Sequence, residues 1–274
     1  MALVENILLL LIVGFATGSV LGLLVASYIR YQRKKTRITK VLILLHVYLA
    51  SSMIVILISS IFDFFEIPIV ISEEDILAFL PDELPLVFIH TLFSPLRGIF
   101  ILPAFYYFCV FAQLVFFMEE EKRKKLVKWS VILIAVALAV TFFVIGLLLY
   151  VIGCSLADLP IDYILITLIV LRSRLFVKII TLVVFCMVAF PVFFISFRLW
   201  KQRPQDDPHK SDLLYFAIMA FVLILLPIFE LVDFLLLQAG ATRPTIGFLL
   251  QMLWIPVLVY AAYRGYFASK SRKI

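Results

Sequence analysis

The stretch LLYFAIMAFVLILLPIFELVDFLLLQ, residues 213–238, decides the fold. As a helix rising ~1.5 Å per residue it reaches ~39 Å, more than the ~30 Å of bilayer hydrocarbon, so it is long enough to cross a membrane. Its second half nonetheless carries Pro227, Glu230 and Asp233. Acids in a membrane helix are costly and must face protein or water, which makes them candidates for function.

The rest of the chain is built in the same way. Of its 274 residues 65% are hydrophobic, well above the ~45–50% of soluble domains, and the mean hydropathy is +1.16. The bilayer is therefore its solvent. Seven apolar runs of spanning length lie at approximately 6–28, 41–62, 98–118, 128–152, 175–199, 213–238 and 246–266. They lack the alternation of barrel strands, and lipid offers no partner for an open sheet edge, so all should be helices. The expected fold is all-α, a polytopic membrane protein whose residues 1–274 form one seven-transmembrane-helix bundle. Glu5 precedes the first run and no basic segment does, so that run is expected to be a membrane helix rather than a secretory leader.

Charge gives the orientation. Arg30, Arg33, Lys34, Lys35, Arg37 and Lys40 follow span one, Lys122 to Lys125 and Lys128 follow span three, Arg198, Lys201, Arg203 and Lys210 flank the fifth loop, and Arg264, Lys270, Arg272 and Lys273 close the chain. Nineteen of the 24 Lys and Arg thus share one side. The positive-inside rule places the N-terminus outside and the C-terminus inside. The net charge of +6 is then a topology signal, and no nucleic-acid partner is expected. A multi-pass protein of the cell membrane, in contact with the lipid bilayer, is the expected setting.

Two outer segments, 63–96 and 154–174, admit more than one reading. Within the first, IPIVI and EEDILAFL read as a short strand and an interfacial helix over the bundle; IDYILITLIVL (161–171) reads as a strand pair, an outer cap or an extension of span five. Arg172, Arg174 and Lys178 follow, against the positive-inside pattern.

Candidate site residues come from polarity inside the spans. Glu230 and Asp233 share a helix face, Lys178 enters span five at a similar depth, Arg97 caps span three on the same side, and Gln251 lies in span seven. Together they predict an outward-facing ligand pocket between spans three, five, six and seven. The competing reading is a structural ion-pair network. Pro191, Pro227 and Pro256 each remove a backbone hydrogen bond and are expected to bend their helices. Gly14, Gly18, Gly22 and Ala26 form a smooth strip for close helix packing, within the bundle or against a second copy. On the inner side His46 and Gln113 match in depth and are expected to pair. Ser51, Ser52, Ser59 and Ser60 are expected to bond to their own helix carbonyls.

Enzyme readings fare poorly. His90 is read as outside, His209 as inside and only His46 within a span, so no metal site is expected. Cys109, Cys154 and Cys186 read as packing residues. Gly-rich phosphate loops are absent, and no cofactor is expected.

The segments SPLRGIFILPAFYYFCVFAQLVFF (94–117) and RLWKQRPQDDPHKSDLLYFAIMAFVLILLPIFELVDFLLL (198–237) resemble the third helix and the fifth inner loop with sixth helix of the seven-helix N-terminal sensor region of prokaryotic histidine kinases. That resemblance implies a ligand-sensing or partner-binding membrane module. No kinase domain follows within the 274 residues, so the expected output runs through a cytoplasmic or membrane protein partner. The expectation is a non-enzymatic sensor or receptor-like module. The alternatives are a small-solute transporter of three plus one plus three helices, or a structural assembly partner that forms a homo-oligomer through Gly14, Gly18 and Gly22.

Overall fold

The computed structural model describes residues 2–65, 84–117, 121–157, 162–207, 209–240 and 245–267. These form seven α-helices and no strand among the described residues: α1 (Ala2–Arg33), α2 (Arg37–Phe64), α3 (Leu84–Val115), α4 (Glu121–Leu156), α5 (Tyr163–Gln202), α6 (Lys210–Gln238) and α7 (Ile246–Ala262). A π-helical turn, Tyr263–Phe267, continues α7. All seven are long and apolar enough to cross a membrane, so the chain is a multi-pass membrane protein with the all-helical bundle expected.

Polar side chains set the helix starts. Thr36 and Thr39 form a reciprocal capping box at α2, Asp162 accepts from the Leu165 N–H at α5, and Thr245 accepts from the Phe248 N–H at α7. Each satisfies a backbone donor that the first helical turn leaves without a partner. Pro191, Pro227 and Pro256 all lie inside helices that continue past them, as do Pro95 and Pro103 in α3.

Each helix packs on its neighbours in sequence, and α1 meets α7 to close a ring. The largest apolar cluster joins α3, α4, α5 and α6 through residues such as Phe105, Ala137, Phe185 and Ala220. A second joins α1, α2 and α7 through Val13, Met53 and Met252. At one end an aromatic group of Phe111, Phe116, Phe216 and Tyr266 draws together the end of α3, the start of α6 and the exit of α7. Arg30, at the end of α1, lies over the Tyr266 ring and donates to the Tyr266 carbonyl. The exit of α1 therefore stands beside the exit of α7, as an odd number of crossings requires. The Lys- and Arg-rich turns share this basic end.

Several expectations are corrected. Span three begins earlier than expected, residues 84–96 belonging to α3 itself; IPIVI and EEDILAFL fall outside the described residues. Residues 163–171 take one of the three readings left open for them and extend span five, giving a 40-residue helix. His90 is not outside but buried within α3, where its Nε2 lies 3.3 Å from Ser59 Oγ and 3.6 Å from Asp63.

The glycine strip does not pack inside the bundle. A Cβ at Gly14, Gly18 or Gly22 would meet nothing within 4 Å, because α1 buries the other face, Leu9, Val13, Ala16, Val20 and Leu23. Close approach occurs instead at Gly247 on α7, where a Cβ would stand 2.6 Å from the Asp233 nitrogen and 2.8 Å from the Phe229 carbonyl oxygen of α6.

Candidate functional site

Three helices bring charge to one point in the bundle. Lys178 on α5 donates through Nζ to Glu230 Oε1 on α6 at 2.8 Å. Arg97 on α3 sets its Nη1 3.6 Å from the same oxygen, an ion pair too long to be a hydrogen bond. Two cations thus share one carboxylate. Phe234, one turn after Glu230, lies under both Lys178 Nζ, at 5.6 Å from the ring centroid, and Arg174 Cζ, at 5.8 Å. Its ring face is favourable to positive charge at that range. Low-dielectric surroundings strengthen such pairs but penalise any member left alone, so the cluster holds only as a group.

Asp233 has a different partner. It accepts a hydrogen bond from the Thr245 hydroxyl, the same group that caps α7. One hydroxyl therefore ties the start of α7 to α6, one turn from Glu230 and beside the close contact at Gly247.

Three cavities meet at Arg97, which borders all of them. An outer cavity of about 60 Å³ is bounded by five helices, with Ser59, His90, Arg174, Lys178 and Asp233 among its polar walls. A lateral cavity of about 50 Å³ lies between α3, α4 and α5 and has Lys178 and Glu230 on its wall. A middle cavity of about 40 Å³ is bordered by Glu230, Gln251 and Ser52 and otherwise by apolar side chains. The ion cluster is the partition between them. Pro227 lines the middle cavity together with Leu223, four residues earlier, whose carbonyl loses its intrahelical partner because proline has no N–H.

Of the five predicted ligand-binding residues, Lys178, Glu230 and Arg97 are brought into contact, Gln251 faces the same middle cavity as Arg97 and Glu230, and Asp233 is held by Thr245 while still bordering the outer cavity. Sequence reasoning missed two members. Arg174 had drawn notice only as a topological exception; one turn before Lys178, it follows the same helix face. Ser52 was expected to bond to its own helix. Ser51 and Ser60 do so, but Ser52 Oγ has no partner and Ser59 turns to His90.

The inner polar pair is also corrected. His46 meets Ser27 on α1, Nδ1 to Oγ at 2.6 Å, and not Gln113. Ser27 also donates to the Leu23 carbonyl at 2.8 Å. With one hydroxyl proton, both contacts are satisfied when His46 carries its proton on Nδ1 and donates to Ser27. Helix rotation decides this pairing, and depth alone does not encode it.

Among the described residues no group of His, Cys, Asp and Glu is arranged to hold a metal ion. Outside the spans, Asp207 accepts from the Arg203 guanidinium at 2.6 Å and from the His209 N–H at 2.8 Å. Chiefly the Arg203 bond, then the His209 bond, holds the Asp207 carboxyl below the usual carboxylate range.

Compared with known proteins, the chain matches no family model, no curated protein and no solved structure.

Proposed function

We propose that the chain is a non-enzymatic sensor or receptor-like module of the cell membrane, with its N-terminus outside and its basic end in the cytoplasm, that binds a small ligand at the Lys178–Glu230–Arg97 cluster. One observation carries the reading: two cations and a single carboxylate from three different helices form the partition between three cavities. A purely structural ion pair needs no adjoining space. A site that must admit a molecule does, and it needs polar groups converging on that space from several elements. The gathering of Lys- and Arg-rich turns at one end supports the orientation by the positive-inside rule.

The test compares small molecules released on denaturing the purified wild-type protein with those from Glu230→Gln and from the double variant Lys178→Met/Glu230→Gln. Removing Glu230 alone strands two buried cations and costs about 3–5 kcal/mol, whereas removing Lys178 with it leaves only Arg97 unpaired and costs less. The double variant should therefore fold, by circular dichroism, and retain no ligand. Equal retention by wild type and double variant sinks the proposal.

Self-association through Gly14, Gly18 and Gly22 is a second reading, favoured because no described residue comes within 4 Å of a Cβ placed there. A protein partner on the cytoplasmic side would carry the output, as the resemblance to kinase sensor regions implies.

A further inference from the structure

Unmet polar groups gather around the middle cavity. Ser52 on α2 is 1% exposed and Gln251 on α7 is 3% exposed, and both line this cavity with Arg97. Ser52 Oγ and Arg97 Nε have no hydrogen-bond partner among the described residues, and the Gln251 side chain borders the same cavity. Buried polar groups are almost always paired, so each exception calls for an explanation. Two exceptions on two helices that line one cavity, with the Gln251 amide on a third helix beside them, are the imprint of a group that bonds to all three.

Their chemistry restricts what that group is. Arg97 offers only donors, while Ser52 and Gln251 can donate as well as accept, so the shared complement is an acceptor with several lone-pair directions. The guanidinium fork matches a carboxylate best. It is not saturated by Glu230: Arg97 Nη1 stays 3.6 Å away while Lys178 holds that oxygen at 2.8 Å. Charge points the same way. Arg97 and Lys178 bring two positive charges to one carboxylate, and a second carboxylate completes the balance.

Size and the remaining walls fix the rest of the molecule. Apart from Glu230, whose charge Lys178 and Arg97 engage, the remaining wall is apolar, with Met53, Phe105, Phe185, Leu223 and Leu258. Its volume is about 40 Å³, and a water-sized group needs ~10–15 Å³, so there is room for about three such groups. A carboxylate with one or two further carbons fills it. We infer that the middle cavity binds a short-chain monocarboxylate of acetate-to-propionate size, its carboxylate on Arg97, Ser52 and Gln251 and its methyl end against Phe105, Phe185 and Leu258. The inference rests on the proposal that this cluster is a ligand site and assigns the ligand's class.

The experiment titrates sodium acetate and sodium propionate into the full chain in lipid nanodiscs, following heat and thermal stability. Sodium chloride at equal ionic strength, sodium octanoate and 1-propanol serve as controls for charge, length and the carboxylate itself. Saturable binding is expected for acetate or propionate and for none of the controls. Gln251→Leu and Ser52→Ala should each weaken it at least tenfold, and Ser52→Ala should leave the unliganded protein as stable as before or more so, because it removes an unmet group. Propionate acting no differently from chloride overturns the inference, as does unaltered affinity in both variants. If propionate fails but the wild type retains another molecule that the Lys178/Glu230 double variant loses, the ligand class is wrong and the sensor reading survives. If the cavity yields only water and no molecule is retained, both fall.

Discussion

Replacing Gly247 with alanine adds a single methyl group at the tightest point between α6 and α7. The new carbon would stand 2.6 Å from the Asp233 nitrogen, 2.8 Å from the Phe229 oxygen and 2.9 Å from the Asp233 Cα. Carbon contacts become favourable at about 3.5 Å, so α7 must retreat by about 0.9 Å. All three obstructing atoms are backbone and none can rotate aside. Overpacking of this kind costs about 1–3 kcal/mol. The retreat also strains the Thr245–Asp233 hydrogen bond two residues upstream, and bonds to charged groups are worth about 1.5–3 kcal/mol. Alanine's better helix propensity returns about 1 kcal/mol. The net loss is therefore about 1.5–5 kcal/mol, a fall of roughly 3–9 °C in Tm for a chain of this size. Thermal unfolding in detergent, read by tryptophan fluorescence, measures it. Two other glycines calibrate the result. At Gly98 the added carbon meets only the Thr141 side chain, at 3.1 Å, and at Gly18 it meets nothing within 4 Å. The stability loss should rank Gly247 above Gly98 above Gly18. An unchanged or raised Tm for Gly247→Ala, or a reversed ranking, refutes the helix packing on which the site depends.

Gly18→Leu should leave monomer stability unaltered, yet if the strip is covered by a second copy it shifts the protein from dimer to monomer in analytical ultracentrifugation; an unchanged mass removes the strip as an interface. Ser27→Ala leaves His46 Nδ1 buried without its 2.6 Å partner, and should cost about 0.6–2 kcal/mol, the range for interhelical bonds in membranes; a chemical-denaturant titration in mixed micelles checks it. The depressed Asp207 carboxyl fixes a sign for pH. Its bonds to Arg203 and His209 support the α5–α6 turn fully above the ordinary aspartate pKa of ~3.9, and that support is lost as pH falls through the lower folded-state value. Hydrogen exchange at the His209 amide, corrected for its intrinsic pH dependence, should accelerate only in that acidic window, and Asp207→Asn should abolish the change.

The bundle was legible because hydropathy is a summed signal: each span repeats the same message over many residues, and Glu230 or Lys178 cannot drown it. Boundaries were not. Ser94, Pro95 and Arg97 looked like a loop, yet they lie inside α3 because neighbouring helices bury what lipid would reject. Arg172 and Arg174 likewise disguised the continuity of α5. At the site, ionisable residues announced themselves by rarity, and three of them do converge. Ser52 gave no such signal. A membrane serine ordinarily bonds its own helix, and nothing in the sequence around Ser52 marks it as the one left without a partner among the described residues. For the same reason the sequence displayed the smooth strip of α1 but not which way it faces, since rotation about a helix axis is set by neighbours rather than by the helix itself.

Because ring neighbours are otherwise chain neighbours, the contact between α1 and α7 is the seam that joins the two ends of the ring. During synthesis every other helix can dock on the one inserted just before it. The first helix cannot finish burying Leu9, Val13 and Val20 until Phe248, Met252 and Ile255 emerge. It waits, held on one flank by α2, until α3 to α6 have been made, and the arrival of the seventh span is what locks the first in place.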